Sequence, residues 1–103
     1  MRFLIKAKMD TETGNKLAKS GKLGEVLGSI VAELKPEAAY FIAEDGKRTA
    51  LIFMDMADVS ELPSVAEPLF QALNAEVSAV PAMVAEDLQK AGPAIEAAAQ
   101  KYG

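Results

Sequence analysis

The chain contains no cysteine, no histidine and no tryptophan. Without cysteine it has no disulfides and no thiolate nucleophile. Without histidine it also lacks an imidazole base and the usual side chains of a zinc or haem site. Its carboxylates are scattered rather than clustered, so no metal and no cofactor are expected. Long hydrophobic runs are missing too. Nothing approaches the roughly 20 apolar residues that span a bilayer. Lys6 and Lys8 interrupt the opening "MRFLIKAKMD" before a signal-peptide core could form. A cytoplasmic protein with no membrane partner is the expectation.

Basic residues are scarce after the midpoint. Residues 1–50 carry nine basic and seven acidic side chains, residues 51–103 two and eight, for a net charge of −4. The basic residues between Arg2 and Lys22 form no Arg/Lys cluster, and aromatics do not interleave them. No nucleic-acid partner is expected.

What remains is a chain of 103 residues, half of them hydrophobic, suited to one compact domain. "RFLIKAKM" sets Phe3, Ile5, Ala7 and Met9 against Arg2, Leu4, Lys6 and Lys8, a strand with one apolar and one mixed face. In the following segment Leu23, Val26/Leu27, Ile30/Val31 and Leu34 recur at helical spacing, and Pro36 ends the helix. Gly14, Gly21, Gly24 and Gly28 leave its start open. Either the backbone passes close to a neighbour there, or a loop near Gly14 delays the helix. "GKLGEVLG" lacks the order of a phosphate-binding loop.

"AAYFIAE" and "KRTALIFMDM" flank Asp45-Gly46, a strong hairpin signal. Asp58 and Ser60 are cap candidates for a helix whose stripe is Leu62, Val65/Ala66, Leu69/Phe70 and Leu73, with Pro63 in its first turn and Pro68 within it. "AEVSAVPAMV" is a fourth strand whose end Pro81 demotes to an edge or bulge position. The tail divides at Gly92-Pro93 into a short helix and an alanine-rich one, which is expected to dock weakly or fray. The order fits an α+β fold: a ferredoxin-like βαββαβ two-layer sandwich over residues 1–84, with a C-terminal helical extension over 85–103.

With Asp45 and Gly46 as the loop, pairs run from Ala43–Arg48 to Ala38–Phe53, and alternation yields two faces. One carries Ala39, Phe41, Ala43, Ala50, Ile52 and Met54; the other carries Tyr40, Ile42, Thr49, Leu51, Phe53 and Asp55. Helices cover only one side of a two-layer fold. The second apolar side therefore requires another cover, and a second subunit is preferred over the tail or a ligand. Leu4, Ile42, Leu51 and Phe53 are the expected dimer interface.

The opening "MRFLIKAKMD", the hairpin "YFIAEDGKRTALIFMDM", "LPSVAEPLFQAL" and "AEVSAVPAMVAEDLQKA" together resemble the dimeric α+β-barrel superfamily, and most of all a short uncharacterised bacterial family within it. The likeness covers roughly residues 1–91. It implies a homodimer whose sheets form a barrel, with a cavity in each subunit. The superfamily includes haem-independent monooxygenases, muconolactone-isomerase-like, chlorite-dismutase-like and stress-responsive proteins. Histidine serves many of the enzymes and is missing here.

Four side chains are candidates for contact with a small apolar or weakly acidic ligand. Tyr40 offers a hydroxyl on an apolar body. Lys6 offers a cation or, if desolvated, a base. Asp55 could accept a proton or hold a donor, and Arg48 could clamp a carboxylate at a cavity mouth. Each has a plainer reading: interface aromatic for Tyr40, rim lysine for Lys6, turn residue for Asp55, solvated hairpin end for Arg48. Glu76 reads as surface. Met54, Met56 and Met83 read as core filling rather than soft-metal ligands. The functional expectation is a homodimeric ligand-binding barrel. The alternatives are cofactor-independent oxygenation or isomerisation of an activated aromatic or enolisable substrate, and a purely structural role.

Overall fold

Alternation, turn chemistry and caps set the architecture of the computed structural model, which describes all 103 residues. Strand β1 (Arg2–Lys8) leads into α1 (Thr11–Lys19). Asp10 caps α1, its carboxylate accepting from the Thr13 backbone N–H at 3.0 Å and from the Thr13 hydroxyl at 2.9 Å. The chain breaks at Gly21 (φ +73°), a left-handed conformation that glycine adopts without a Cβ penalty, and resumes as α2 (Leu23–Leu34). Gly14 therefore lies inside a helix, and the loop falls seven residues later.

Strands β2 (Ala38–Glu44) and β3 (Lys47–Asp55) are joined through Asp45 (φ +53°) and Gly46 (φ +76°). Two successive positive φ angles are the backbone of the two-residue hairpin turn whose twist matches its strands. A 3-10 turn at Val59–Glu61 then carries a reciprocal cap. The Asp58 carboxylate accepts from the Ser60 N–H, and the Glu61 carboxylate accepts from the Asp58 N–H, both at 2.9 Å. Helix α3 (Leu62–Leu73) runs through Pro68, and β4 (Glu76–Pro81) completes the sheet.

The sheet is antiparallel in the order β2-β3-β1-β4, the ferredoxin-like arrangement. Helices α1, α2 and α3 cover one face. There Ile5, Ala7, Ala50, Ile52 and Met54 meet Ile30, Val65, Leu69 and Leu73. Met56 joins this core. Met83 does not: it is 67 % exposed, because the chain leaves the sheet at Pro81 before Met83 can turn inward.

Helices α4 (Ala85–Lys90) and α5 (Gly92–Tyr102) follow one another across the single residue Ala91 and add nothing to the core. They form an arm, and the molecule measures 58 × 29 × 20 Å with a radius of gyration of 17.1 Å. A compact domain of this length would have about 13 Å. The tail docks as weakly as expected: only the start of α4 comes near the sheet, with Asp87 beside Arg2. Its alanine-rich face offers little area to bury, and Leu88 and Ile95 stay more than half exposed. No helix is long and apolar enough to cross a membrane.

Candidate functional site

The registers give the face opposite the helices its composition. One row across the sheet is Ala38, Phe53, Leu4 and Val80; the next is Tyr40, Leu51, Lys6 and Ser78. The expected interface residues Leu4, Ile42, Leu51 and Phe53 thus share this face, with Val80 added by β4. Neither helix nor arm covers them. Tyr40 is 60 % and Val80 50 % exposed, while Leu4, Leu51 and Phe53 are half-buried by their neighbours alone. The Tyr40 and Phe53 rings meet edge to face, 6.4 Å apart.

Ion pairs bound this apolar band at both ends. At the hairpin end, Lys6 Nζ lies 3.0 Å from Glu44 Oε2, and Lys8 Nζ bridges Glu44 at 3.4 Å and Asp45 at 2.9 Å. At the other end Arg2 pairs with Glu37 at 2.9 Å, and the Met1 amino group donates to Asp55 Oδ1 at 2.9 Å. Thr49, on the same face, is buried beneath this surface and donates to the Lys47 carbonyl at 3.1 Å.

The geometry separates three of the four ligand candidates. Lys6 and Tyr40 share a row but are held apart by Leu51. Asp55 lies four residues beyond Leu51, about 13 Å along β3. Lys6 is engaged by Glu44 rather than free to act as a desolvated base. The hydrogen bond from the chain's amino group holds the Asp55 carboxyl below the usual range, so it is a weak proton acceptor near neutrality. One chain therefore does not assemble Tyr40, Lys6 and Asp55 into a catalytic group. Glu76 is exposed, as expected, opposite Lys8.

Arg48 sits elsewhere, on the helix side. Its Nη2 donates to Asn15 Oδ1 of α1 at 3.1 Å, and it lines a recess of about 300 Å³ between sheet and helices. Neither Asn15 nor Gly14 carries a sequence signal for this contact, because the elements that meet are 33 residues apart.

The Glu44 pair gives a pH signature. The hydrogen bond from Lys6 lowers the Glu44 carboxyl below its ordinary value. A depressed folded-state value means that the unfolded chain binds more protons in acid. The pair's contribution is thus present above about pH 4.3 and lost as pH falls through the folded value. Asp10, Asp45, Asp55 and Asp58 shift the same way, so the informative quantity is a difference. Glu44→Gln should flatten the decline of thermal stability between about pH 5 and pH 2 relative to the parent chain. Superimposable acid limbs would mean that the pair is not formed in solution.

No family model matches the chain, and neither does any curated protein. Among solved structures it is similar to the de novo designed protein Ferredog-Diesel, with 12 % identity and a TM-score of 0.46 over 79 % of this chain and 85 % of that one. A likeness this loose carries no argument about function.

Proposed function

We propose that the protein works as a homodimeric α+β barrel, formed by packing the open sheet face against a second copy, and that it holds a small apolar or weakly acidic molecule. The observation that carries this reading is the apolar band of Leu4, Leu51, Phe53, Val80 and Tyr40, uncovered at its centre and rimmed by ion pairs. An apolar centre within a polar rim is how specific interfaces are built. Arg2, Lys6 and Lys8 are each matched by a carboxylate of the same chain, so the face carries no block of one sign that would repel its own copy.

Surface area supports the same conclusion. The chain exposes 6851 Å² for a mass of 10.9 kDa. A compact monomer of that mass exposes about 5,600 Å². Only 15 of 103 residues are buried, a thin core for an isolated domain. A standard interface removes about 800 Å² from each partner, less than the excess of about 1,300 Å² that this chain exposes over a compact monomer. This assembly agrees with the superfamily that the sequence resembles.

Native mass spectrometry under gentle and denaturing conditions tests both halves of the proposal. A dimer mass with a small-molecule adduct released on denaturation is expected. A strict monomer at tens of micromolar would remove the association half.

A further inference from the structure

The chain has two arginines, and they are used differently. Arg2 is neutralised by Glu37 at 2.9 Å. Arg48 has no carboxylate within 4.0 Å, although the chain carries fifteen acidic residues. Its side chain is exposed, and one hydrogen bond anchors the guanidinium to α1: Asn15 accepts one of its N–H groups, and Gly14 leaves room for the rest. A Cβ at Gly14 would stand 2.7 Å from Arg48 Nη1 and 2.7 Å from Met9 Sδ, so the missing side chain is where the guanidinium and the thioether lie against α1. A guanidinium has five donors in a fixed planar fork that matches a carboxylate, and Asn15 occupies only one of them.

Beside this cation is the recess of about 300 Å³, at the lower end of small-molecule site volumes. Its walls are apolar: Met9, Leu27, Phe41, Ala50 and Leu73 among them. Phe41, more than half exposed on the edge strand β2, forms the outer wall. One unpaired cation at an apolar recess matches a ligand with one negative charge and a compact hydrophobic body. A phosphate dianion would need more positive charge than Arg48 alone provides, and a neutral apolar molecule would make no use of the fork's remaining donors.

We infer that the Arg48 recess is a binding site for a small monocarboxylate, the carboxylate on the Arg48 fork and an apolar body of about ten heavy atoms between Phe41, Leu27 and Leu73. This names the ligand class and seat for the binding half of the proposed function. It does not depend on the association half: Arg48, Met9, Leu27, Ala50 and Leu73 lie on the helix side of the sheet, although Ile42 and Thr49 of the open face also border the recess.

The test is calorimetric titration of the full chain with sodium octanoate, and with 1-octanol as the uncharged counterpart. Saturable binding of one octanoate per chain is expected, with octanol at least tenfold weaker. Arg48→Gln should weaken octanoate at least tenfold, while Lys47→Gln, altering a half-buried neighbouring cation that does not line the recess, should leave it unchanged. Gly14→Ala is the second arm. The exposed Arg48 side chain can swing aside, the buried Met9 thioether has rotatable bonds with which to yield, and alanine restores about 1 kcal/mol of helix propensity, so this variant should still fold, as circular dichroism would show. It should still lose octanoate affinity, because the guanidinium is displaced. Equal affinity for octanol, or octanoate binding untouched by Arg48→Gln and Gly14→Ala, would overturn the inference. So would the absence of saturable octanoate binding, and an adduct in native mass spectrometry would then show that the broader ligand-binding reading survives without it.

Discussion

In the proposed homodimer, replacing Phe53 by lysine should shift the equilibrium from dimer to monomer across the micromolar range, raising the dissociation constant at least 100-fold. Phe53 stands at the middle of the open face, flanked by Leu4 on β1 and Ala38 on β2, with the Tyr40 ring against its edge. In a face-to-face dimer the substitution removes a buried ring from each subunit and sets an ammonium against apolar surface. Twofold symmetry applies both losses twice. A 100-fold change corresponds to about 2.7 kcal/mol, modest beside the cost of desolvating two unpaired charges. The monomer should tolerate the change. Phe53 is only half-buried in a single chain, and a lysine stem can lie along Leu4 and Leu51 with its charge in water. Sedimentation velocity from 1 to 100 µM reads the outcome, with circular dichroism confirming an unchanged fold. If the variant sediments as the parent does, the open face is not the interface.

The hairpin behind that prediction was legible because two local rules agree. Asp45-Gly46 dictates a two-residue turn, and the turn dictates the register, so the pairs from Ala43–Arg48 to Ala38–Phe53 are those observed. Element order and the apolar stripes of α2 and α3 followed from periodicity in the same way. The features that escaped have no local signal. Gly14 could be flagged as costly inside a helix, but its reason is a guanidinium arriving from β3. The engagement of Lys6 by Glu44 requires the β1–β3 register, which no turn encodes. The exposure of Met83 depends on where the chain leaves the sheet, and a methionine in an apolar string does not report that. Arg48 was legible as a candidate through its place beside the turn. Its seat against Asn15 emerges only when α1 packs on β3.

Neighbouring residues of β1 should separate the stability of the domain from that of its assembly. Ile5 is fully buried at the centre of the sheet, paired with Ile52 on one side and Ala79 on the other, facing the helices. Ile5→Ala should cost about 2–5 kcal/mol, from lost transfer energy and from a cavity that two flanking strands cannot close. Against the 5–15 kcal/mol typical of a whole domain, that loss is severe. It should be the same at every protein concentration, because Ile5 belongs to the interior of one chain. Leu4 points the other way, toward the open face. Leu4→Ala should lower the unfolding midpoint at high concentration and approach the parent on dilution, since anything that binds only the folded state stabilises it by mass action. Urea unfolding at 2 and 200 µM distinguishes the two. A concentration-independent loss for Leu4→Ala would show that its methyl groups serve the single chain, and the open face would then need another cover.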